Sequence, residues 1–171
     1  MKRLIFTLLY EDGHFMYSRN FRLQRVGDIN WLLNQYNFFE LSGGLDEIII
    51  INISKKKNFE KFYKVVELIT TNCFIPVTVG GKIENIDTAY KYFESGADKL
   101  LLSKSIQTNL NLVSNITNIF GKQSLVGCLD YTFNKELKVI YDNGKKYSKY
   151  SFNENLKILN EIGIGELILQ S

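Results

Sequence analysis

Apolar residues fall along this chain in two alternating rhythms. Short unbroken runs such as Glu47-Ile48-Ile49-Ile50, Lys99-Leu100-Leu101-Leu102 and Glu166-Leu167-Ile168-Leu169 alternate with longer stretches whose apolar positions recur every three or four residues. The unbroken runs predict strands buried on both faces of a parallel sheet, and the spaced ones predict helices packed by one face. A repeated punctuation joins them. Gly43-Gly44-Leu45-Asp46-Glu47, Gly96-Ala97-Asp98-Lys99 and Gly163-Ile164-Gly165-Glu166 each stop a helix at glycine and open the next strand with a charged residue. The repeating unit is α, then β.

Strands are expected at Arg3 to Leu9, Glu47 to Ile53, Val77 to Val79, Lys99 to Leu102, Ser124 to Leu129 and Glu166 to Leu169. Pro76 stands at the entrance of the third, where no N–H is required. Helices are expected from the N-cap Gly27-Asp28 to about Leu41, with Trp31, Leu32, Tyr36 and Phe39 in the core, then over Phe59 to Ile69, Ile86 to Glu94, Leu112 to Ile119 and Asn153 to Glu161. Phe15 to Phe21 reads as an extended arm reached through the Glu11-Asp12-Gly13 turn. Leu137 to Tyr141 and Lys145 to Tyr147 form an inserted hairpin around Asn143-Gly144, the dipeptide suited to a two-residue turn. The class is α/β, as a doubly wound sheet or an incomplete (β/α)8 barrel. Strand order is not readable from pattern. A full barrel runs to about 250 residues, so a barrel of this length is expected to lack its last two units.

The 171 residues, 45% apolar, suffice for one core and fit a single partial barrel domain over 1–171 with the hairpin at about 137–147. The formal charge of +3 is mild, and Lys55-Lys56-Lys57 reads as a solvated turn. Aromatic residues are spread through the helical and strand patterns and not interleaved with a basic stripe, which argues against a nucleic-acid partner. Cys73 and Cys128 have no metal-ligand spacing and are expected to stay reduced in the core; neither a metal nor a cofactor is expected. The apolar start, Met1 to Leu9, is too short for a signal peptide, and no apolar stretch reaches membrane-spanning length, so the expected location is the cytoplasm. His14, the sole histidine, reads as a solvated turn residue.

Chemistry concentrates in Val77-Thr78-Val79-Gly80-Gly81-Lys82. Two glycines at the carboxyl end of a short strand let backbone N–H groups approach a ligand, and the next helix turns its positive end there. That is phosphate-binding architecture.

Taken together, Asp12-Gly13, Asn20-Phe21, Gly27-Asp28, Asp46-Glu47, Thr78-Val79-Gly80-Gly81, Gly96-Ala97-Asp98-Lys99, Phe120-Gly121-Lys122-Gln123-Ser124, Asp130 and Gly144-Lys145-Lys146 resemble the cyclase subunit of imidazole glycerol phosphate synthase, a ribulose-phosphate-binding barrel. The likeness runs from Arg3 to Ser171. It implies a class-I glutaminase docked on the bottom of the barrel and ammonia passing through it to a phosphorylated substrate at the top. The family's gate, a ring of four charges, falls on Arg3, Glu47, Lys99 and Glu166, and its glutaminase-facing positions include Asp46, Asp98 and Gln123. On physical grounds alone, the same two cations and two anions also fit a structural salt-bridge cluster.

The top is altered. Of the family's two catalytic carboxylates, Asp130 supplies the general base, while the general acid falls on Leu9, which cannot transfer a proton. Glu11 and Asp12 lie nearby, with side chains expected to point elsewhere. Asn52, Tyr17 and Lys82 replace an aspartate, a lysine and a third glycine. One phosphate half-site remains, on Gly81, Lys82, Ser103 and Lys104. Leu9 together with Gly27-Asp28-Ile29-Asn30 is similar to a paralogous branch found with surface-polysaccharide genes, which implies ammonia delivery to a separate amidotransferase making acetamidino sugars. The alternatives are a histidine-pathway cyclase and a non-catalytic fragment or assembly partner. An open barrel would expose the edges of its first and sixth strands, which a second copy or complementary chain would cover.

Overall fold

The structure, a computed structural model, describes all residues except Met1, Asn20, Phe21, Phe38, Phe39, Leu41, Ser42 and 56–58, and leaves out the side chain of Asn134. The expectations on Asn20-Phe21, Phe39, Leu41, Lys56 and Lys57 lie outside the described residues. Two compact units make up the chain, Met1–Lys82 with Asp87–Lys99, and Ile83–Ile86 with Leu100–Ser171.

In the first unit, β1 (Ile5–Glu11), β4 (Glu47–Asn52) and β5 (Val77–Gly80) run parallel and in sequential order, with Ile5 opposite Glu47 and Ile49 opposite Thr78. The extended arm is instead a meander: β2 (His14–Arg19) pairs antiparallel with β1, and β3 (Arg22–Gly27) with β2. Pattern missed β3 because Arg22 to Val26 are all exposed, so no buried face alternates with a polar one. β1 begins two residues later than expected and continues through Glu11, because its ladder to β4 starts at Ile5 and runs to Tyr10 opposite Asn52.

Period-2 geometry sorts β1 into two faces. Phe6 meets the Tyr36 ring at 5.5 Å and Tyr10 meets Phe62 at 5.1 Å, so even-numbered residues face the helices. Those helices are α1 (Ile29–Gln35), α2 (Glu60–Asn72) and α3 (Ile86–Glu94). The opposite face carries Ile5, Thr7, Leu9 and Glu11, their β4 partners Glu47, Ile49 and Ile51, and Thr78 and Gly80 of β5. Asp28 caps α1 as expected, accepting from Trp31 N at 2.9 Å. The helix stops at Gln35, short of Leu41, because Tyr36 turns extended (φ −121°, ψ 119°) in a run of amide-rich residues that favour local bonds over helix. Leu32 is buried as expected, whereas Trp31 and Tyr36 are half-buried.

In the second unit, β6 (Lys99–Leu102, its first residue belonging to the first unit), β7 (Leu125–Asn134) and β10 (Glu166–Gln170) are parallel and again sequential. Among the described residues, neither unit shows the reversal of strand order that a doubly wound sheet requires. β7 outruns its expected end at Leu129: its ladder to β10 ends at Asp130, where an antiparallel ladder to β8 (Glu136–Tyr141) begins. β8 returns to β9 (Lys146–Tyr147) through four residues, not two. Asp142, Asn143 and Gly144 are all left-handed (φ 57°, 57° and 76°), one more than a two-residue turn contains. A short helix absent from the pattern, α4 (Lys104–Thr108), precedes α5 (Leu110–Phe120) and α6 (Phe152–Ile162). Buried Asn155 of α6 holds the hairpin base by donating to Tyr150 O, Ser151 O and Ser148 Oγ, and accepts from Gln107 at 2.7 Å. Cys73 and Cys128 are free and buried, and no helix among the described residues is long and apolar enough to cross a membrane.

One backbone position restricts substitution most sharply. Gly81 has φ +85°, and a Cβ there would overlap the Asn52 carbonyl oxygen. Gly81→Ala is expected to destabilise the chain by roughly 3 kcal/mol through strain and overlap together. Urea midpoints at unchanged m-value check this, and a midpoint equal to the parent's would contradict it.

Candidate functional site

At the amino end of the first unit's strands, a buried carboxylate gathers cations. Glu47 opens β4 and is 1% exposed. Its Oε2 lies 3.3 Å from Arg3 Nη1 and 3.3 Å from Lys99 Nζ, and its Oε1 accepts from the Thr78 hydroxyl. Three of the four expected ring charges thus meet on one carboxylate. Arg3 does not open a strand but stands two residues before β1, with 45% of its side chain exposed against 16% for Lys99. Glu166 opens β10 in the second unit. Thr78 was not among the expected residues, although its place opposite Ile49 on the Glu47 face follows from strand period.

Asp46 and Asp98, expected to face a glutaminase, are first of all structural. Asp46 donates its N–H to Leu4 O (2.9 Å) while its carboxylate accepts from Leu4 N (2.6 Å). Asp98 repeats the device with Val77, at 2.9 and 2.8 Å. Each brackets the entrance of the neighbouring strand and supplies acceptors to amides that the ladder leaves over. In the third copy the position is Gly165, where a Cβ would sit 2.5 Å from Lys122 O. Gln123 is exposed on the adjoining 3-10 turn, Lys122–Ser124. On the first unit's amino-end surface Leu4 is 60% and Phe74 76% exposed, and a hollow of about 360 Å³ is lined by Thr70, Cys73, Phe74, Val77 and Asp98.

At the carboxyl ends, Gly80 closes β5 and the chain turns through Gly81 and Lys82. Lys82, expected to stand where the family has a third glycine, has a glycine-like backbone with φ +58°. Tyr92 pins the turn, its hydroxyl donating to Gly81 O at 2.8 Å. Burial pushes that phenol well above its ordinary range. Asn52 is buried behind the turn and accepts from Ser54 N at 3.0 Å. In the second unit, Ser103 and Lys104 begin the five-residue α4, with Ser105 Oγ donating to Ile83 O at 2.8 Å. Asp130 lies where β7 changes partners, half-buried, with Cys128 Sγ 3.8 Å from its Oδ1. Burial raises its carboxyl above the usual range, against a smaller lowering by the thiol contact, and pushes Cys128 up to about 12. A raised carboxyl suits proton transfer.

Two residues depart from expectation near Leu9. Glu11 is the last residue of β1 and so shares the face of Leu9, contrary to the reading that its side chain points elsewhere. His14 is not a turn residue but the first residue of β2, half-buried and opposite Glu11.

Glu47→Ala, which removes the buried carboxylate shared by Arg3, Lys99 and the Thr78 hydroxyl, is expected to cost about 3 kcal/mol, and Arg3→Ala about 1 kcal/mol or less. Chemical denaturation of both variants checks the ordering. Asp130, whose folded pKa is raised, favours the fold while protonated and loses that contribution as pH rises. Asp130→Asn should therefore melt above the parent at pH 7 and level with it near pH 3, below the ordinary carboxylate range of about 4. Thermal melts at the two pH values decide it, and a variant that melts lower at pH 7 contradicts the raised carboxyl.

The model of the histidine biosynthesis protein family matches residues 22–171. A protein of Parasynechococcus marenigrum (strain WH8102), provisionally named imidazole glycerol phosphate synthase subunit hisF2, is 39% identical over 172 residues, covering 99% of this chain and 64% of that relative. Imidazole glycerol phosphate synthase subunit HisF of Staphylococcus aureus (strain Newman) is 30% identical over 175 residues, covering 99% of this chain and 68% of the relative, and its counterpart in strain COL gives the same figures. The chain thus spans about two thirds of the length of these relatives. With β1, β4 and β5 in sequence, β6, β7 and β10 in sequence, and matched positions from end to end, the chain belongs to the histidine biosynthesis protein family, among relatives of the HisF type.

Proposed function

We propose that this chain is the ammonia-receiving, cyclase-type subunit of a glutamine-dependent synthase. The observation that carries the reading is Glu47, a buried carboxylate holding two cations on the sheet face away from the helices. Burying such a trio gains little stability over apolar packing. A cluster kept at that cost, at the amino end where exposed Leu4 and Phe74 invite a partner, fits a charged gate through which neutral ammonia passes. Glu166 is the fourth member of the gate in this reading. The partner is a class-I glutaminase, for which Asp46, Asp98 and Gln123 shape the docking face, the two aspartates by fixing the strand entrances.

The phosphorylated acceptor is held by Gly81, Lys82, Ser103 and Lys104. Lys82 supports the assignment: a left-handed backbone costs a residue with a side chain about 1 kcal/mol or more, and glycine would avoid that cost without supplying a cation. The reaction class is that of a lyase-type cyclase, with Asp130 as general base, and the names of the relatives favour a part in imidazole glycerol phosphate synthesis. Leu9 favours a second reading, in which the subunit passes ammonia on to a sugar amidotransferase for acetamidino-sugar synthesis.

The test is co-purification with a class-I glutaminase, followed by glutamine turnover with and without this chain. Complex formation and stimulated glutamine hydrolysis are expected. Lys99→Ala should uncouple glutamine hydrolysis from amination, and Gln123→Ala should weaken association. No complex and no stimulation at about micromolar concentration, where transient partners still associate, would leave the assembly-fragment reading in its place.

A further inference from the structure

The face of β1 that carries Leu9 ends in a carboxylate. Leu9 and Glu11 are two residues apart on one strand, which places their Cα atoms roughly 6.7 Å apart on the same side of the sheet. The antiparallel ladder sets Met16 opposite Leu9 and His14 opposite Glu11, so histidine and glutamate stand side by side on that face. Lys55, from the segment after β4, approaches Glu11 Oε1 at 3.3 Å.

The cluster is built into the fold. Ile53 N donates to Tyr10 O (2.8 Å) and Asp12 N to Ser54 Oγ (3.0 Å), which ties the segment bearing Lys55 to the end of β1. The Glu11 side chain is only 17% exposed, while that of Lys55 is 83% exposed. His14 Nδ1 is enclosed and meets no hydrogen-bond partner among the described residues. An enclosed, unsatisfied polar atom carries a free-energy cost that a bound polar group would relieve.

From this juxtaposition we propose that Glu11 is the proton-transfer group of β1, serving from one strand repeat further out in place of the carboxylate that Leu9 lacks. The inference rests on the cyclase reading. As ammonia nitrogen adds to the ketose carbonyl carbon, the Glu11 carboxylate takes a proton from that nitrogen and returns it to the carbonyl oxygen. The C–N bond forms, the C=O π bond becomes O–H, and the carboxylate is regenerated. Glutamate carries one methylene more than aspartate, which reaches back over part of the displacement. Lys55, at 3.3 Å from Oε1, positions the carboxylate for the first transfer.

The test uses the full chain with free ammonia and the cyclase's aminated ribulose-phosphate substrate. Glu11→Gln is expected to lower kcat about 10²-fold or more with KM within about threefold of the parent, and Glu11→Asp to restore part of the rate. Because exposed Lys55 can remain hydrated, Glu11→Gln should fold, which its melting curve checks. A folded Glu11→Gln variant with a rate within about threefold of the parent, or a loss confined to KM, overturns the assignment and leaves the cyclase reading standing. A silent parent whose Leu9→Asp variant gains turnover does the same. Silence from both the parent and Leu9→Asp removes the cyclase reading and the assignment with it.

Discussion

A carboxylate almost sealed from water decides how the first unit's strands can begin. Glu47 needs partners because an unpaired buried charge is far more costly than a paired one. Its partners come from three places: Arg3 ahead of β1, Thr78 on β5 and Lys99 at the start of β6. Satisfying one side chain therefore fixes the stagger of the strand entrances, and that stagger sets which residues emerge at the opposite ends. The Gly80–Gly81–Lys82 turn and the Glu11 carboxylate stand where they do because the ladder is locked at Ile5 opposite Glu47 and Ile49 opposite Thr78.

The parallel strands and their helices were legible because both signals are strong and local. Ile86–Glu94 and Lys99–Leu102 fall where periodicity puts them, and Glu47, Lys99 and Glu166 do open their strands. The arm from Phe15 was not legible as two strands, since β3 lies exposed at a sheet edge and carries no hydrophobic code. The length of β1 was likewise hidden: Tyr10 and Glu11 look like the start of a turn until the ladder to β2 is known.

Site residues divide along the same line. Charges at strand starts are read from sequence because the repeat marks them, but what they touch depends on partners distant in the chain, as Arg3 and Glu47 are. Asp46 and Asp98 show the limit. Their pattern identifies a surface, and only the geometry reveals that their carboxylates already accept backbone amides from Leu4 and Val77. Side-chain direction is the other limit, since placing Glu11 on the face of Leu9 requires the true end of β1.

The hydrogen bond from Tyr92 to the Gly81 carbonyl has a bearing on how ligand recognition could respond to acidity. Because burial keeps that phenol protonated far into the alkaline range, the tether on the glycine turn is the same at every pH a cell encounters. That one tether does not titrate there. A phosphate monoester, by contrast, changes charge near a pH of about 6. Sensitivity to pH in ligand capture at this turn would then originate in the ligand's own ionisation, with the tether acting as a constant background.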